Sequence, residues 1–145
     1  MKQREIKFRV WDHNNKNWAL FANAIDIANG SVYEIGMDWE TVLHETTIQQ
    51  YTGLKDKSDI EIYEGDVITF DEYPSIIFVV GWSVYEEVGW SLYFNPSHTE
   101  QKFEKLKQIF NNIDLYEEYP MSYFDQKGYK VLGNIFENPE LLKND

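Results

Sequence analysis

The chain of 145 residues contains no cysteine. This absence excludes disulfide bonds, thiol catalysis and cysteine-ligated zinc, and it favours a reducing cytoplasm as the location of the protein. The sequence also lacks any run approaching the roughly 18 uninterrupted apolar residues of a membrane span. Its charged beginning, MKQREIKFRVWD, has no apolar signal core. We therefore expect a protein that is neither membrane-embedded nor exported by a standard signal.

Basic residues are also scarce. The chain has 13 Lys and Arg against 25 Asp and Glu, which gives a formal net charge of -12. Between Lys57 and Lys102 there is no Lys or Arg at all, while acidic residues recur throughout the interval. Affinity for nucleic acid depends on cationic groups that release counterions from phosphates, so no direct binding of nucleic acid is expected. The charge pattern suits a basic protein partner instead.

Apolar residues, in contrast, are plentiful: 43% of the chain is hydrophobic and 17% is aromatic. This content supplies enough surface for burial to offset the entropy of folding, and the length is that of one domain. We predict a single domain over residues 1–145, with an N-terminal β-rich part at 1–50 and a barrel at 51–145. The predicted fold class is mainly β, within the α+β class.

An N-terminal β-hairpin is the first predicted element. Ile6, Phe8 and Val10 alternate with Lys7 and Arg9, which is the period of a strand with one buried face. The polar turn DHNNKN follows, and WALF provides the partner strand. Further along, AIDI and SVYEIG suit short strands around an Asn-Gly turn, whereas TVLHETTIQQYT is compatible with strand or coil.

A small antiparallel barrel is predicted for the later half. Four short runs are rich in β-branched and aromatic residues: DVITF, SIIFVVGW, GWSLYF and YKVLGNIF. We predict that Asp66 to Phe94 and Tyr129 to Phe136 form one barrel. Between the third and fourth runs, apolar residues recur at spacings of three and four, which predicts one amphipathic helix near residues 98–118.

Motifs with catalytic or ligand-binding chemistry are absent from the sequence. The histidines His13, His44 and His98 have no second His at the helical spacing of a metalloprotease motif. The acidic run after Asp56 lacks the glycine of a calcium loop, and no glycine-rich phosphate loop occurs. We therefore predict no catalytic, cofactor-binding or metal-binding residue and favour a non-enzymatic protein. The alternative is a small metal-dependent hydrolase or nuclease-like enzyme whose carboxylates converge from distant positions.

The segment GWSVYEEVGWSLYF is the candidate contact surface. It reads as a hairpin that turns at EEVG, with two similar aromatic arms. Alternation places the tryptophans on one face and the tyrosines on the other, and one face must fill the barrel. The other face displays either the tyrosines or, with the reverse orientation, the tryptophans, unless the rings only complete the core. We assign the partner-binding residues as Tyr85, Glu86, Glu87 and Tyr93.

Three segments resemble the YopX family of small phage and prophage proteins. The beginning REIKFRVWD, the central YTGLKDKSDIEIYEGDVI and the ending YKVLGNIFENPELL correspond to the three blocks of that family's pattern. The matching positions are Arg4, Ile6, Lys7, Phe8, Arg9, Trp11 and Asp12, then Tyr51 to Lys57 and Ile62 to Asp66, and finally Gly133 to Leu142. The resemblance implies a phage or prophage origin and an SH3-like small β-barrel in the later half, and because no molecular role is established for the family, it transfers no catalytic residue to this chain.

Two departures from the family pattern stand out. Asp59 occupies a turn position where the family usually has Gly, and the stretch from Asn95 to Gly128 looks lineage-specific. We interpret the central block as an element that specifies the fold, with a binding loop as the alternative. The resulting hypothesis is an accessory protein of the host bacterial cytoplasm that binds a basic host or phage protein or a second copy of itself.

Overall fold

The structure is a computed structural model that describes residues 3, 5–26, 28–71, 73–84, 88–95, 118–121 and 128–143. The chain divides into two compact units, Met1–Gln50 and Tyr51–Asp145. The described strands are β1 (Phe8–Asp12), β2 (Asn17–Trp18), β3 (Ala24–Ile25), β4 (Val32–Ile35), β5 (Glu40–Leu43), β6 (Thr46–Lys55), β7 (Glu61–Tyr63), β8 (Asp66–Phe70), β9 (Tyr73–Ser83), β10 (Gly89–Phe94), β11 (Glu118–Pro120) and β12 (Tyr129–Asn134). A short 3-10 helix covers Pro139–Leu142, and no helix of 7 or more residues occurs in the described part. The predicted mainly β class is confirmed.

The first unit begins with the predicted hairpin, which is confirmed. Strand β1 pairs antiparallel with β2, and Trp11 lies opposite Trp18. The turn forms because the Asp12 carboxylate accepts hydrogen bonds from the backbone N–H groups of Asn14 and Asn15, at 2.9 and 3.0 Å. The hydrogen bond from the Asn15 backbone is the main reason why the pKa of Asp12 lies below its ordinary value. The second arm is shorter than predicted, and Leu20 beyond it is exposed.

The remainder of the first unit contains three antiparallel pairings. The first half of β6 pairs with β1, where Val10 lies opposite Ile48. A separate three-stranded sheet has the order β3-β4-β5, so the predicted short strands on either side of the Asn29–Gly30 turn are confirmed. The segment TVLHETTIQQYT, which was compatible with strand or coil, contains most of β5 and the first part of β6.

The second unit contains a five-stranded antiparallel sheet with the order β11-β10-β9-β8-β12. The predicted segments thus form one antiparallel unit, and β9 runs as a strand through Ile76 to Trp82. Within the described residues this sheet is a curled half-barrel. Its inner face holds the core, formed by Ile62, Ile68, Phe70, Ile76, Phe78, Val80, Leu92, Met121 and Tyr129.

The predicted amphipathic helix near residues 98–118 lies outside the described residues except at its last position. Glu118 there begins strand β11, which pairs with β10 and places Tyr119 opposite Leu92. The predicted helix end is therefore wrong at Glu118, because the backbone of this residue joins the sheet edge rather than a helical turn.

The central family-like block is held by two buried carboxylates, of which Asp56 is the first. Its Oδ1 accepts hydrogen bonds from the N–H groups of Ser58 and Ile60, at 2.7 and 3.0 Å, and closes the β6–β7 loop. Its Oδ2 accepts a third hydrogen bond, at 3.1 Å, from the N–H of Val131 in β12. One side chain thereby shapes the loop and fixes it to a strand remote in sequence.

Asp66 is the second buried carboxylate and joins the central block to the ending. Its Oδ2 accepts a hydrogen bond from the N–H of Tyr63 at 2.8 Å, and its Oδ1 accepts one from Nδ2 of Asn134 at 3.1 Å. Gly65, just before it, has φ +76, a conformation that favours glycine. Its N–H donates to the carbonyl of Val80, and its own carbonyl accepts from the N–H of Ile135. These contacts support the interpretation that the block specifies the fold.

Candidate functional site

The β9–β10 hairpin, which carries the candidate surface, is a regular antiparallel ladder. Its register places Phe94 opposite Phe78, Leu92 opposite Val80, Trp90 opposite Trp82 and Gly89 opposite Ser83. Side chains at alternate positions share a face, so the tryptophans continue the row of core residues toward the turn. The buried part of this row ends at Val80 and Leu92, which are fully buried. Trp82, the next residue of the row, is 42% exposed.

Trp82 and Trp90 form an edge-to-face pair with ring centroids 4.9 Å apart and an interplanar angle of 84°. Trp90 packs against the core, and its Nε1 is buried without a hydrogen-bond partner in the described part of the chain. Val84, which follows β9, and Val88, which precedes β10, are 66% and 69% exposed. We name Trp82, Val84, Val88 and Trp90 the tryptophan surface.

Of the four predicted partner-binding residues, only Tyr93 lies within the described residues; Tyr85, Glu86 and Glu87 lie outside them. Tyr93 is half-buried, its ring lies against Gly81, and its hydroxyl donates a hydrogen bond to the carbonyl of Trp82 at 3.2 Å. A methyl group on Gly81 would come within 2.6 Å of that ring, so glycine is required for this contact. The contribution of these four residues to binding stays a prediction.

The hairpin face opposite the tryptophans is partly buried. Ser83 and Ser91, which flank Gly81 and Tyr93 on that face, are each 1% exposed. The exposed apolar area of the described hairpin therefore lies with the tryptophans. The register thus places the tryptophans on the core-facing side and Tyr93 on the opposite face, and Trp82 is exposed because it lies beyond the last buried pair of the core row.

The sequence that contains the hairpin has very few basic residues. The only cations from residue 17 to residue 101 are Lys55 and Lys57. Lys55 Nζ lies 3.0 Å from Oδ1 of Asp59, and this hydrogen bond raises the pKa of Lys55 above its ordinary value. Lys57 forms an ion pair with Asp71. Carboxylates of the same segment already engage both cations, so the other acidic residues leave the segment with a strongly negative net charge.

A second exposed apolar surface was missed by the sequence analysis. It lies on the β4–β5 hairpin of the first unit, where Met37 is 100%, Trp39 51%, Ile35 43% and Val42 39% exposed. The Trp39 ring lies directly over Gly36, whose N–H donates to the carbonyl of Trp39 at 2.8 Å. The signal that could have revealed it is the segment EIGMDWE, in which apolar side chains and carboxylates share a tight turn.

Metal ligation finds no support in the described residues, which contain no group of three or more His, Asp or Glu side chains able to hold an ion. The same part of the chain has no helix that combines the length and apolar character needed to cross a bilayer. The buried carboxylates of Asp56 and Asp66 accept hydrogen bonds from backbone and side-chain donors, so both have structural roles.

Comparison with known proteins identifies the family. A family model described as YopX protein matches residues 7–143, which is nearly the whole chain. The chain belongs to the YopX family. The resemblance of its three sequence blocks is thereby confirmed, and no curated protein sequence matches the chain significantly.

Two solved structures support the YopX fold. Protein EF1440 from Enterococcus faecalis, known from a crystal structure, has a TM-score of 0.54 at 23% identity, covering 97% of this chain and 100% of that one. Protein yopX from Bacillus subtilis, solved by X-ray crystallography, has a TM-score of 0.52 at 15% identity, covering 95% and 96%. At these identities the likeness establishes the fold alone.

Asp59 is the position at which we expect this chain to depart from the YopX pattern, and the geometry of the turn accommodates an Asp there. The residue has φ +66, its N–H donates to the carbonyl of Asp56 at 3.0 Å, and the loop thus combines a tight turn with one left-handed residue. Asp is among the few residues that accept this conformation. The exposed ion pair with Lys55 adds little to stability.

We expect Asp59→Gly to change the free energy of unfolding by less than about 0.5 kcal/mol, because relief of backbone strain and the greater chain entropy of Gly offset each other. Asp59→Val should lower it by about 1–2 kcal/mol, because a β-branched residue fits a positive φ poorly. Urea denaturation of both variants measures the difference. Equal stability of the Val and Gly variants would contradict the left-handed turn.

Proposed function

We propose that this YopX-family protein is a non-enzymatic interaction module that binds a basic segment of a host or phage protein through the tryptophan surface. The observation that carries the proposal is the Trp82–Trp90 pair, which extends from the core row into solvent beside two exposed valines. The SH3-like barrel implied by the family resemblance is the matching fold proposal. The curled antiparallel sheet supports it.

Aromatic side chains favour this surface as a contact site. Trp is enriched among the residues that contribute most to interface energies, because one rigid ring buries a large area at a small cost in side-chain entropy. Trp90 already packs on the core and holds its neighbour in a fixed edge-to-face geometry. The surface is therefore preorganised, and a partner would lose less conformational entropy on binding it.

Charge supports a basic partner over an acidic or nucleic-acid partner. The segment of sequence between β9 and β10 includes Glu86 and Glu87, and no Lys or Arg occurs between Lys57 and Lys102. A segment that carries Lys or Arg would be attracted to this region, and cations can also lie over the faces of Trp rings. A phosphate backbone would be repelled. No specific observation favours the metal-dependent enzyme.

The test is site-specific crosslinking in lysate of a bacterial host. A photo-crosslinking amino acid replaces Val88, and the crosslinked peptides are identified by mass spectrometry. We expect Lys- or Arg-rich segments of another protein. Crosslinks to neutral or acidic segments, to this chain itself, or to nothing would overturn the proposal.

Matched charge variants show whether the surface is specific. Val84→Lys with Val88→Lys places two cations on the tryptophan surface, whereas Ser58→Lys with Ser75→Lys adds the same charge at exposed positions away from it. We expect capture to fall at least about tenfold in the first variant only. Equal capture by both variants contradicts a specific contact. Salt-sensitive binding of duplex DNA at micromolar protein would contradict the charge argument.

A further inference from the structure

The β4–β5 hairpin has a feature that the tryptophan surface lacks, which is an open strand edge. The three-stranded sheet has the order β3-β4-β5, so β5 is paired on one side only within the described residues. Its register with β4 is continuous from Leu43 opposite Val32 to Glu40 opposite Ile35, without a bulge. Proteins usually protect such an edge with Lys, Pro or a bulge, and the sequence ETVL of β5 contains neither residue.

We infer that β5 binds an extended basic segment of a partner protein by strand addition. Exposed edges accept an added strand through backbone hydrogen bonds, while the alternate side chains of the sheet provide specificity. Glu40, Thr41 and Val42 are exposed and Leu43 is half-buried, so the described residues leave most of the strand uncovered. The inference does not rest on the proposed function, because it concerns another unit of the chain and another mode of recognition.

The side chains of β5 define which strand fits. Glu40 and Val42 lie two positions apart and therefore share one face of the sheet, together with Ile35 and Tyr33 of β4. Directly opposed side chains on neighbouring strands interact, and opposite charges or apolar pairs are the stabilising combinations. The fitting segment thus has a basic residue opposite Glu40 and an apolar residue opposite Val42, two positions away.

Charge complementarity selects a basic partner over a second copy of this chain. Residues 17 to 54 contain no Lys or Arg, whereas Asp26, Glu34, Asp38, Glu40 and Glu45 are all acidic. A second copy would bring the same carboxylates to the same edge, and like charges across an interface oppose association. Met37, fully exposed at the turn, gives the partner an adaptable apolar contact next to this edge.

The probe is a soluble synthetic peptide in which Val and Lys alternate with Thr spacers, in the order Lys-Thr-Val-Thr-Lys-Thr-Val. A peptide with Glu in place of Lys is the control. We expect the Lys peptide to slow amide hydrogen exchange at Glu40–Leu43, as measured by NMR, and the Glu peptide to have no such effect. Absence of protection at β5, or equal protection by both peptides, overturns the inference.

Three variants separate strand addition from general charge attraction. Glu40→Lys should weaken binding of the Lys peptide roughly tenfold, since it turns an opposed ion pair into repulsion. Asp38→Lys makes the same charge change in the turn outside β5 and should weaken binding by less than about threefold. Val42→Thr keeps a strand-forming residue but removes the apolar contact, and should weaken binding severalfold. Equal losses in Glu40→Lys and Asp38→Lys overturn the inference.

Two further measurements separate the β5 edge from the tryptophan surface and from self-association. The Val84→Lys and Val88→Lys double variant should bind the peptide normally, so a negative result for the tryptophan surface leaves peptide binding at β5 testable. Sedimentation should show a monomer at the protein concentrations used. A concentration-dependent dimer that Glu40→Lys abolishes would instead identify a second copy as the occupant of the β5 edge.

Discussion

Replacing Asp66 by alanine is expected to lower the free energy of unfolding by about 3–5 kcal/mol, a large fraction of the stability of a small protein. The Asp66 side chain is 2% exposed, and it accepts hydrogen bonds from the N–H of Tyr63 and from Nδ2 of Asn134. Removal leaves both donors without this acceptor, and the bond to Asn134 lies where water has no access. The loss therefore includes the cost of desolvated, unpaired donors in addition to the two hydrogen bonds.

Asparagine at position 66 should cost less, about 1–3 kcal/mol, because its one carbonyl oxygen satisfies one of the two donors. Its amide group must then face the other donor. Asn134 is not free to turn its own oxygen toward position 66, because Oδ1 of Asn134 accepts a hydrogen bond from the N–H of Phe136 at 3.1 Å. Combining Asp66→Asn with Asn134→Asp reverses the donor and the acceptor, and should recover part of the stability.

Urea denaturation of the single variants and of the double variant measures this coupling. Asn134→Asp alone brings two buried carboxylates together and should be more destabilising than Asp66→Asn alone. Asp38→Asn, at an exposed turn position, is the control for removal of one negative charge. A double variant whose loss equals the sum of the two single losses would show that the side chains do not interact as described.

Replacing Asp56 by alanine is expected to lower the free energy of unfolding by about 2–4 kcal/mol, because three backbone N–H groups lose a charged acceptor. The cost is smaller than at Asp66 because Ser58 and Ile60 are exposed, so water can reach their freed N–H groups. Asp56→Asn should fall between alanine and wild type, since its amide would face the N–H of Val131 or those of the loop.

Asp56 also predicts how stability depends on pH. Burial by itself raises the pKa of this carboxyl, but hydrogen bonds from the N–H groups of Ile60, Val131 and Ser58 together outweigh burial and place the pKa below its ordinary value. A carboxyl with a lowered pKa in the folded state stabilises the protein when it is ionised. Its contribution is complete above the unfolded pKa of about 3.9 and is lost as the pH falls through the folded pKa.

Denaturation between about pH 6 and pH 2 tests this dependence. Wild type should lose stability as the pH falls below about 5, and Asp56→Asn should lose less over the same range, because it has no carboxyl at position 56 to protonate. Asp38→Asn again provides the exposed control. Parallel pH curves for wild type and Asp56→Asn would contradict a lowered pKa at Asp56.

Local sequence patterns determined much of the fold. Alternation in EIKFRVW and the polar turn after it predicted the first hairpin, and the aromatic runs after Gly65 predicted the antiparallel sheet. These features depend on backbone geometry within a few residues, so composition and period suffice to predict them. The three sequence blocks likewise sufficed to predict the YopX family, which the family model confirms.

The candidate site could be predicted only in part from the sequence. Repetition of GWS indicated a paired hairpin, but alternation left open whether the tyrosines or the tryptophans face solvent. The structure shows Trp82 exposed although it shares a face with the buried Val80, because the buried row ends at the Val80–Leu92 pair and the Trp82–Trp90 pair is the next one on that face. No local pattern states where a core ends.

The roles of the buried carboxylates were decided only by the tertiary structure. In sequence, Asp56 and Asp66 belong to an acidic run that is compatible with an exposed loop. In the fold, Asp56 accepts a hydrogen bond from a residue 75 positions away, and Asp66 accepts one from a residue 68 positions away. A carboxylate remains buried only where the folded chain brings donors to it, so its partners depend on strand pairing between distant segments and not on the residues beside it.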